Sequence, residues 1–313
     1  MYMNNFRTDM ADERREIYKS ANKLEGEIPG IEATEKEESE NIRSNTVRIT
    51  SREGEKAIGK PIGKYITFDL ANLKHAEEYE IEESANIISS AIKELIDEKI
   101  SNGDGVLVVG LGNQFVTPDA LGPKVVSEIE VTRHLLKYAP QYVVKGARSV
   151  CAIAPGVLGT TGIETVEIIN GVVQNIKPKL IIAIDSLASK SVSRISTTIQ
   201  ISDTGITPGA GVENTRKELS MNTLGIPVIA IGVPMVVDMA TITDDCLNLF
   251  IEKLQDNAES NEYLNNLREH SNYEEIRSAL IPEEYNMIVT PKEIDDLVEN
   301  MKSIVARSIN YAL

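Results

Sequence analysis

The sequence predicts an α/β fold: a mostly parallel twisted sheet flanked by helices on both faces, with an additional N-terminal β segment. Short apolar runs at Val106 to Val109 and Leu180 to Ile184 are typical of strands buried on both faces. Patterns with apolar residues three or four positions apart lie between such runs and predict amphipathic helices. Strands that alternate with helices favour parallel pairing through crossover connections.

The chain before residue 78 is expected to differ from the rest. Residues 12–24 fit a short helix, whereas residues 32–40 (EATEKEESE) are so rich in charge that we expect a solvated segment without a fixed structure. Residues 45–70 predict the N-terminal β segment, because β-branched and aromatic residues alternate at both of its ends. Glu53-Gly54 is interpreted as the turn between these two strands.

The core is predicted from periodicity and from stop signals. We expect helices over 78–100, 121–135 and 294–312, and a further helix after a capping box of Thr161 and Glu164. We expect strands over 106–109, 149–154, 180–184 and 228–233, the last closed by Pro234, and an antiparallel or edge strand over 197–201. Residues 10–77, 78–245 and 246–313 are then the N-terminal part, the core and the helical C-terminal part of a single domain.

The bulk composition excludes several classes of protein. Lys and Arg number 32 and Asp and Glu number 48, so the net charge is −16, which disfavours direct contact with nucleic acid. The polar N-terminus has no signal peptide, and no apolar run is long enough to cross a membrane. Two cysteines in 313 residues imply no disulfide framework and favour the cytoplasm.

Asp119 and Asp185 are the candidate catalytic residues. Each is expected just beyond the carboxyl end of a buried parallel strand, where open α/β sheets build their sites. Two carboxylates that converge there titrate apart, so that one acts as an acid and the other as a base. The alternative is structural, because an Asp after a strand is often the N-cap of the next helix.

Other motifs carry weaker signals. Gly110-Leu111-Gly112 begins a dinucleotide fingerprint, but Phe115 stands where its third glycine would be. The triplet Asp203-Thr204-Gly205 occurs once, in a Gly-rich loop, and is interpreted as a turn that could line a cleft. No nucleophile elbow, P-loop or zinc-protease motif is present, and no histidine is placed to bind a metal. We therefore expect no cofactor and no metal.

Several long motifs occur in order over essentially the whole chain: FRTDMADE from Phe6, GLGNQFVTPDALGPKVV, APGVLGTTGIET, AIDSLAS and ISDTGITPGAGVENTRKEL. Together these motifs resemble the germination protease family of endospore-forming bacteria. The core also resembles the hydrogenase maturation endopeptidases, which share the G-L-G-N turn and the aspartate that follows it. In those enzymes acidic residues at such positions bind nickel together with a histidine, for which this chain has no obvious equivalent.

The resemblance implies a zymogen that removes its own propeptide, residues 1–9, by cutting between Asp9 and Met10. It implies that Asp119 and Asp185 are the catalytic pair, that the substrates are small acid-soluble proteins of the spore core cut after an acidic residue, and that the enzyme is a homotetramer. The substrate cleft is expected at the glycine-rich loops, with Gly112, Asn113, Gly156, Gly159, Asp203, Gly205 and Gly209 as candidates.

Two alternatives stay open on the sequence. The same aspartates could be ligands in a metal-assisted endopeptidase of the maturation type. The chain could also be a non-catalytic module that binds spore proteins.

Overall fold

The computed structural model describes residues 8–70, 76–207, 217–239, 241–243, 246, 249–250, 253 and 287–313. The helices in these ranges are α1 (Ala11–Ala21), α2 (Arg52–Ile58), α3 (Glu78–Lys99), α4 (Leu121–Val126), α5 (Arg133–Tyr138), α6 (Leu158–Thr161), α7 (Thr165–Ile176), α8 (Met221–Leu224) and α9 (Ile294–Ala312). The strands are β1 (Ile31–Glu37), β2 (Ile42–Ile49), β3 (Gly63–Leu70), β4 (Val106–Gly110), β5 (Val150–Ile153), β6 (Leu180–Ser189), β7 (Thr198–Ser202), β8 (Val228–Asp238) and β9 (Ile288–Val289).

These strands form one mixed sheet in the order β1-β2-β3-β7-β8-β6-β4-β5, with β9 beside β8. The α/β class is confirmed, but the prediction of a mostly parallel sheet is not exact, because the sheet is mixed. Only β5, β4, β6 and β8 run parallel, and the N-terminal strands join them antiparallel through β7. The link between β6 and β7 is too short for a crossover helix, so β7 must run back antiparallel to β6.

Each face of the sheet is covered by its own helices. On one face α3, α4 and α9 pack against alternate strand residues that include Leu180, Ile182 and Ile184 of β6. On the other face α7 packs against Ile181 and Ala183, and Ala11 of α1 and Ile58 of α2 belong to the cluster over β2 and β3. Because side chains alternate along a strand, Asp185 belongs to the face covered by α7 and α1.

Several predicted boundaries are wrong for local reasons. Residues 31–37 form edge strand β1, paired with β2 along its whole length, because an edge strand tolerates charged side chains on its open side. Residues 52–58 form α2 in place of a turn, since the Ser51 side chain accepts a hydrogen bond from Gly54 N. Thr161 ends α6 and makes no capping box with Glu164, which precedes α7 without a side-chain cap.

Two long predicted elements also change. The helix predicted over 121–135 is divided into α4 and α5, because Thr132 between them bonds to β5: its N–H donates to Val150 O at 3.0 Å and its hydroxyl accepts from Val150 N at 2.9 Å. Strand β8 continues through Pro234 to Asp238. The helical region predicted from residue 244 lies mostly outside the described residues, whereas α9 is confirmed.

Candidate active site

Asp119 lies in the loop that leaves β4 toward α4. The loop turns at Gly112, whose φ of +109° disfavours any other residue, and a Cβ there would lie 2.0 Å from the backbone oxygen of Asp119. Asn113 N donates to Asp119 Oδ2 at 2.8 Å, and Asn113 Oδ1 accepts from Phe115 N at 3.0 Å. Gly112 and Asn113 therefore fix the carboxylate of Asp119 beyond the end of the strand.

Asp185 lies inside β6, four residues before that strand ends, and so does not follow a strand as the sequence suggested. It is 5% exposed, and its Oδ1 accepts from Ser186 N at 2.9 Å. The preceding residue, Ile184, accepts a hydrogen bond from Leu111 N at 2.8 Å, which joins the end of β4 to β6 at this level.

Asp119, in the loop after β4, and Asp185, in the neighbouring strand β6, belong to the same end of the parallel part of the sheet. β4 pairs with β6, and the short 3-10 helix Thr117–Asp119 packs against β6, β8 and α9. Gly156 and Gly159 follow β5 on the other side of β4, so they lie at the same end. Gly156 has a φ of +76°, and Gly159 is exposed within α6.

The D-T-G loop lies at a different place. β7 runs antiparallel to β8, so Asp203 follows a strand end directed away from Asp119. Its carboxylate accepts from Lys64 N and pairs with Lys99 Nζ, both at 2.8 Å. Gly205, with a φ of +87°, would bring a Cβ to 2.1 Å from Leu219 O. Gly209 lies outside the described residues.

The segment that contains Asp9 and Met10 is buried on the sheet face to which Asp185 belongs. Asp9 and Met10 are 8% and 0% exposed. Asp9 N donates to Ala188 O at 2.9 Å, and Ala188 N donates to Asp9 Oδ2 at 3.0 Å. Gln200 donates from Nε2 to Asp9 O at 3.3 Å and accepts from Ala11 N at its Oε1 at 2.7 Å. Local sequence around Asp9 does not indicate Ala188 or Gln200, which lie 179 and 191 positions further along the chain.

A buried ionic cluster holds the start of α1. Arg194 Nη2 lies 2.7 Å from Asp12 Oδ2, and Arg194 Nη1 lies 3.6 Å from Glu13 Oε1. Glu13 also accepts from the Thr8 hydroxyl and, at 2.7 Å, from Lys190 N. Burial raises the pKa of Glu13 above its usual value, and Arg194 opposes that rise. The sequence predicts only a short helix over residues 12–24 here and does not indicate that Asp12 and Glu13 are buried against Arg194.

A cavity of about 170 Å³ adjoins Asp9. Gln200, Gly205 and Lys60 line it together with Arg14, and burial lowers the pKa of the Lys60 amine to about 8 while the nearby Asp9 charge opposes that change. Two acidic side chains, Asp9 and Glu218, and two basic ones, Arg14 and Lys60, therefore line this small space next to the Asp9–Met10 bond. Asp203 does not line this cavity.

No three or more His, Cys, Asp and Glu side chains among the described residues are grouped so as to hold a metal ion. No helix in the described ranges is both long and apolar enough to span a membrane.

Comparison with known proteins identifies the family. The sequence profile described as germination protease matches residues 7–273. The chain belongs to the germination protease family. It is therefore an endopeptidase, and the segments around Asp9, Asp119 and Asp185 all lie inside the matched range.

Individual germination proteases match the chain over almost its full length. The protein of Clostridium perfringens is 47% identical over 315 residues, covering 99% of this chain and 96% of the relative. That of Caldanaerobacter subterraneus is 49% identical over 311 residues, covering 98% and 94%. The more distant protein of Priestia megaterium is 39% identical over 346 residues, covering 98% and 93%.

Proposed function

We propose that this chain is a self-processing germination protease that begins the degradation of small acid-soluble spore proteins in the cytoplasm of the spore core. Asp119 and Asp185 share a proton and position the water that attacks the peptide carbonyl. The observation that carries the proposal is that Asp119, fixed by Asn113 N, lies in the loop that leaves β4, and that Asp185 is buried in β6, the strand that pairs with β4.

The chemistry assigned to this pair needs one carboxylate and one carboxylic acid. The carboxylate takes a proton from water while the acid donates one to the leaving amine. The two aspartates have then exchanged protonation states, so each can take the other's role in the next reaction. Backbone N–H groups of the loop Gly156 to Gly162 stabilise the oxyanion. This loop lies beside β4 at the end of the sheet that carries Asp119.

The first substrate is the chain itself, cut between Asp9 and Met10, and spore proteins are then cut after an acidic residue in the same way. The burial of both residues supports a bond held in a defined place before it is cut. We further propose that the enzyme is a homotetramer without direct nucleic-acid contacts, which sedimentation equilibrium of the purified chain would test.

The test is to replace Asp119 and Asp185 by Asn, one at a time, in the full chain. Both variants should keep the circular-dichroism spectrum of the parent and lose conversion to a chain that begins at Met10, as measured by intact mass. Asp97→Asn, at an exposed position of α3, is the matched control and should process normally. Conversion that persists in both variants would reject the assignment.

The metal-assisted alternative is tested on the same reaction. If the aspartates act without a metal, exhaustive chelation with metal analysis of the sample should leave the conversion rate unchanged. Loss of conversion that is restored by one added metal would favour the alternative.

A further inference from the structure

The side chain of Gln200 spans the bond at which the chain is proposed to cut itself. Its Nε2 donates to Asp9 O at 3.3 Å, and its Oε1 accepts from Ala11 N at 2.7 Å. One amide group therefore binds the backbone on both sides of Met10, which is completely buried. Gln200 itself is 7% exposed, so water does not compete freely for either bond.

A second pair of hydrogen bonds fixes Asp9 to β6. Ala188 in β6 accepts from Asp9 N at 2.9 Å and donates to Asp9 Oδ2 at 3.0 Å. The bond from Ala188 N is made to the side chain of Asp9, so a residue at position 9 without a side-chain acceptor would not form it. Together Ala188 and Gln200 bind the backbone and the acidic side chain next to the bond.

The sheet brings this bond to the surface that carries Asp185. Gln200 pairs with Gly232, and Gly232 pairs with Asp185, so the three residues form one row across β7, β8 and β6. Paired residues share a face of the sheet, so the side chains of Gln200 and Asp185 lie on the same face. Neighbouring strands lie about 4.8 Å apart, so the two strand spacings between Gln200 and Asp185 separate their Cα atoms by roughly 10 Å. Gly232 has no side chain to stand between them, although Leu187 leans over it: a Cβ at Gly232 would lie 2.3 Å from Leu187 Cδ1.

We propose that Gln200 is a positioning residue for self-processing, holding the Asp9–Met10 bond on the sheet face of Asp185 until it is cut. This inference rests on the proposed self-cleavage. A purely structural role is the competing explanation, since Oε1 of Gln200 also accepts from the first amide of α1 and so caps that helix.

Two substitutions of Gln200 separate these roles. Gln200→Leu removes both hydrogen bonds. Gln200→Glu keeps the acceptor for Ala11 N at every pH, but donates to Asp9 O only while the introduced carboxyl is protonated. If Gln200 merely caps α1, the ionised carboxyl should serve at least as well as the amide, because negative charge is favourable at a helix N-terminus. If Gln200 positions the bond, the ionised carboxyl should fail.

The measurement is the first-order rate of conversion of the full chain to the form that begins at Met10, followed by intact mass from pH 4.5 to 8. Gln200→Leu should be about 10 to 100 times slower than the parent, as expected for a misplaced reacting bond. Gln200→Glu should be equally slow while the introduced carboxyl is ionised, at the alkaline end of this range, and should approach the parental rate as the pH falls and that carboxyl takes up a proton. Gln174→Leu, at an exposed position of α7, is the matched control.

The possible outcomes are distinct. A parent chain that does not convert refutes the proposed self-processing itself. If the parent converts, two results would overturn the role of Gln200 and leave the proposed function standing. The first is a conversion rate of Gln200→Leu within twofold of the control. The second is a ratio of the Gln200→Glu rate to the parental rate that does not change with pH. Should Gln200→Leu fail to fold, the pH dependence of Gln200→Glu decides alone.

Discussion

Replacing Arg194 by Met should release the start of α1 from the sheet. Arg194 lies against two carboxylates that are almost fully buried, Asp12 at 1% and Glu13 at 5% exposure. Removing one partner of a buried ion pair costs about 3–5 kcal/mol, because the remaining charges stay out of water without compensation. At about 1.36 kcal/mol per power of ten, this corresponds to a loss of roughly 2.2 to 3.7 powers of ten in amide protection along α1.

The loss of amide protection in Arg194→Met should depend on pH and should be larger at the higher pH. Burial already raises the pKa of Glu13 above 4.5, and Arg194 lowers it, so the substitution raises it further. An acid whose pKa is raised in the folded state stabilises the fold below its unfolded pKa, and this contribution is lost as the pH rises through the folded value. The loss of protection caused by Arg194→Met should therefore be smaller at pH 5 than at pH 7.5.

Native-state hydrogen exchange of α1, read by mass spectrometry at both pH values, measures this effect. Arg307→Met is the control, because Arg307 pairs with the more exposed Glu78 and Glu82 and should change stability by less than about 1 kcal/mol. If Arg194→Met loses no more protection than this control, or loses the same amount at both pH values, the buried cluster does not hold α1.

Three further outcomes are expected. Gly112→Ala should destabilise the fold by about 1–3 kcal/mol in urea and slow self-cleavage, since a Cβ with positive φ would lie 2.0 Å from Asp119 O. Asp203→Ala should cost about 1–3 kcal/mol in the same assay through lost bonds to Lys64 N and Lys99, yet leave self-cleavage unchanged in the folded fraction. An acylating reagent at pH 8 should modify Lys60 faster than exposed Lys36, because burial lowers the pKa of Lys60 to about 8; equal rates by peptide mapping would contradict this.

Much of the candidate site could be proposed from sequence because its residues lie in local motifs. The apolar run of β4 and the glycine turn after it located Asp119, and the tight approach of Gly112 to Asp119 explains why that turn needs glycine. Asp185 was located in the same way, although its strand continues past it. A strand boundary depends on pairing with neighbours: β6 continues to Ser189 because β8 remains beside it across a register shift after Leu187.

The sequence by itself determined the α/β class, the buried strands and the helices with a continuous apolar stripe, because these depend on periodicity within a few residues. Only the tertiary structure decided that the sheet is mixed, that a highly charged segment forms edge strand β1, and that Asp9 is bound by Ala188 and Gln200. Contacts between residues almost two hundred positions apart leave no periodic trace in a single sequence. Their energy comes from burying hydrogen bonds and charges together, which happens only when the chain folds.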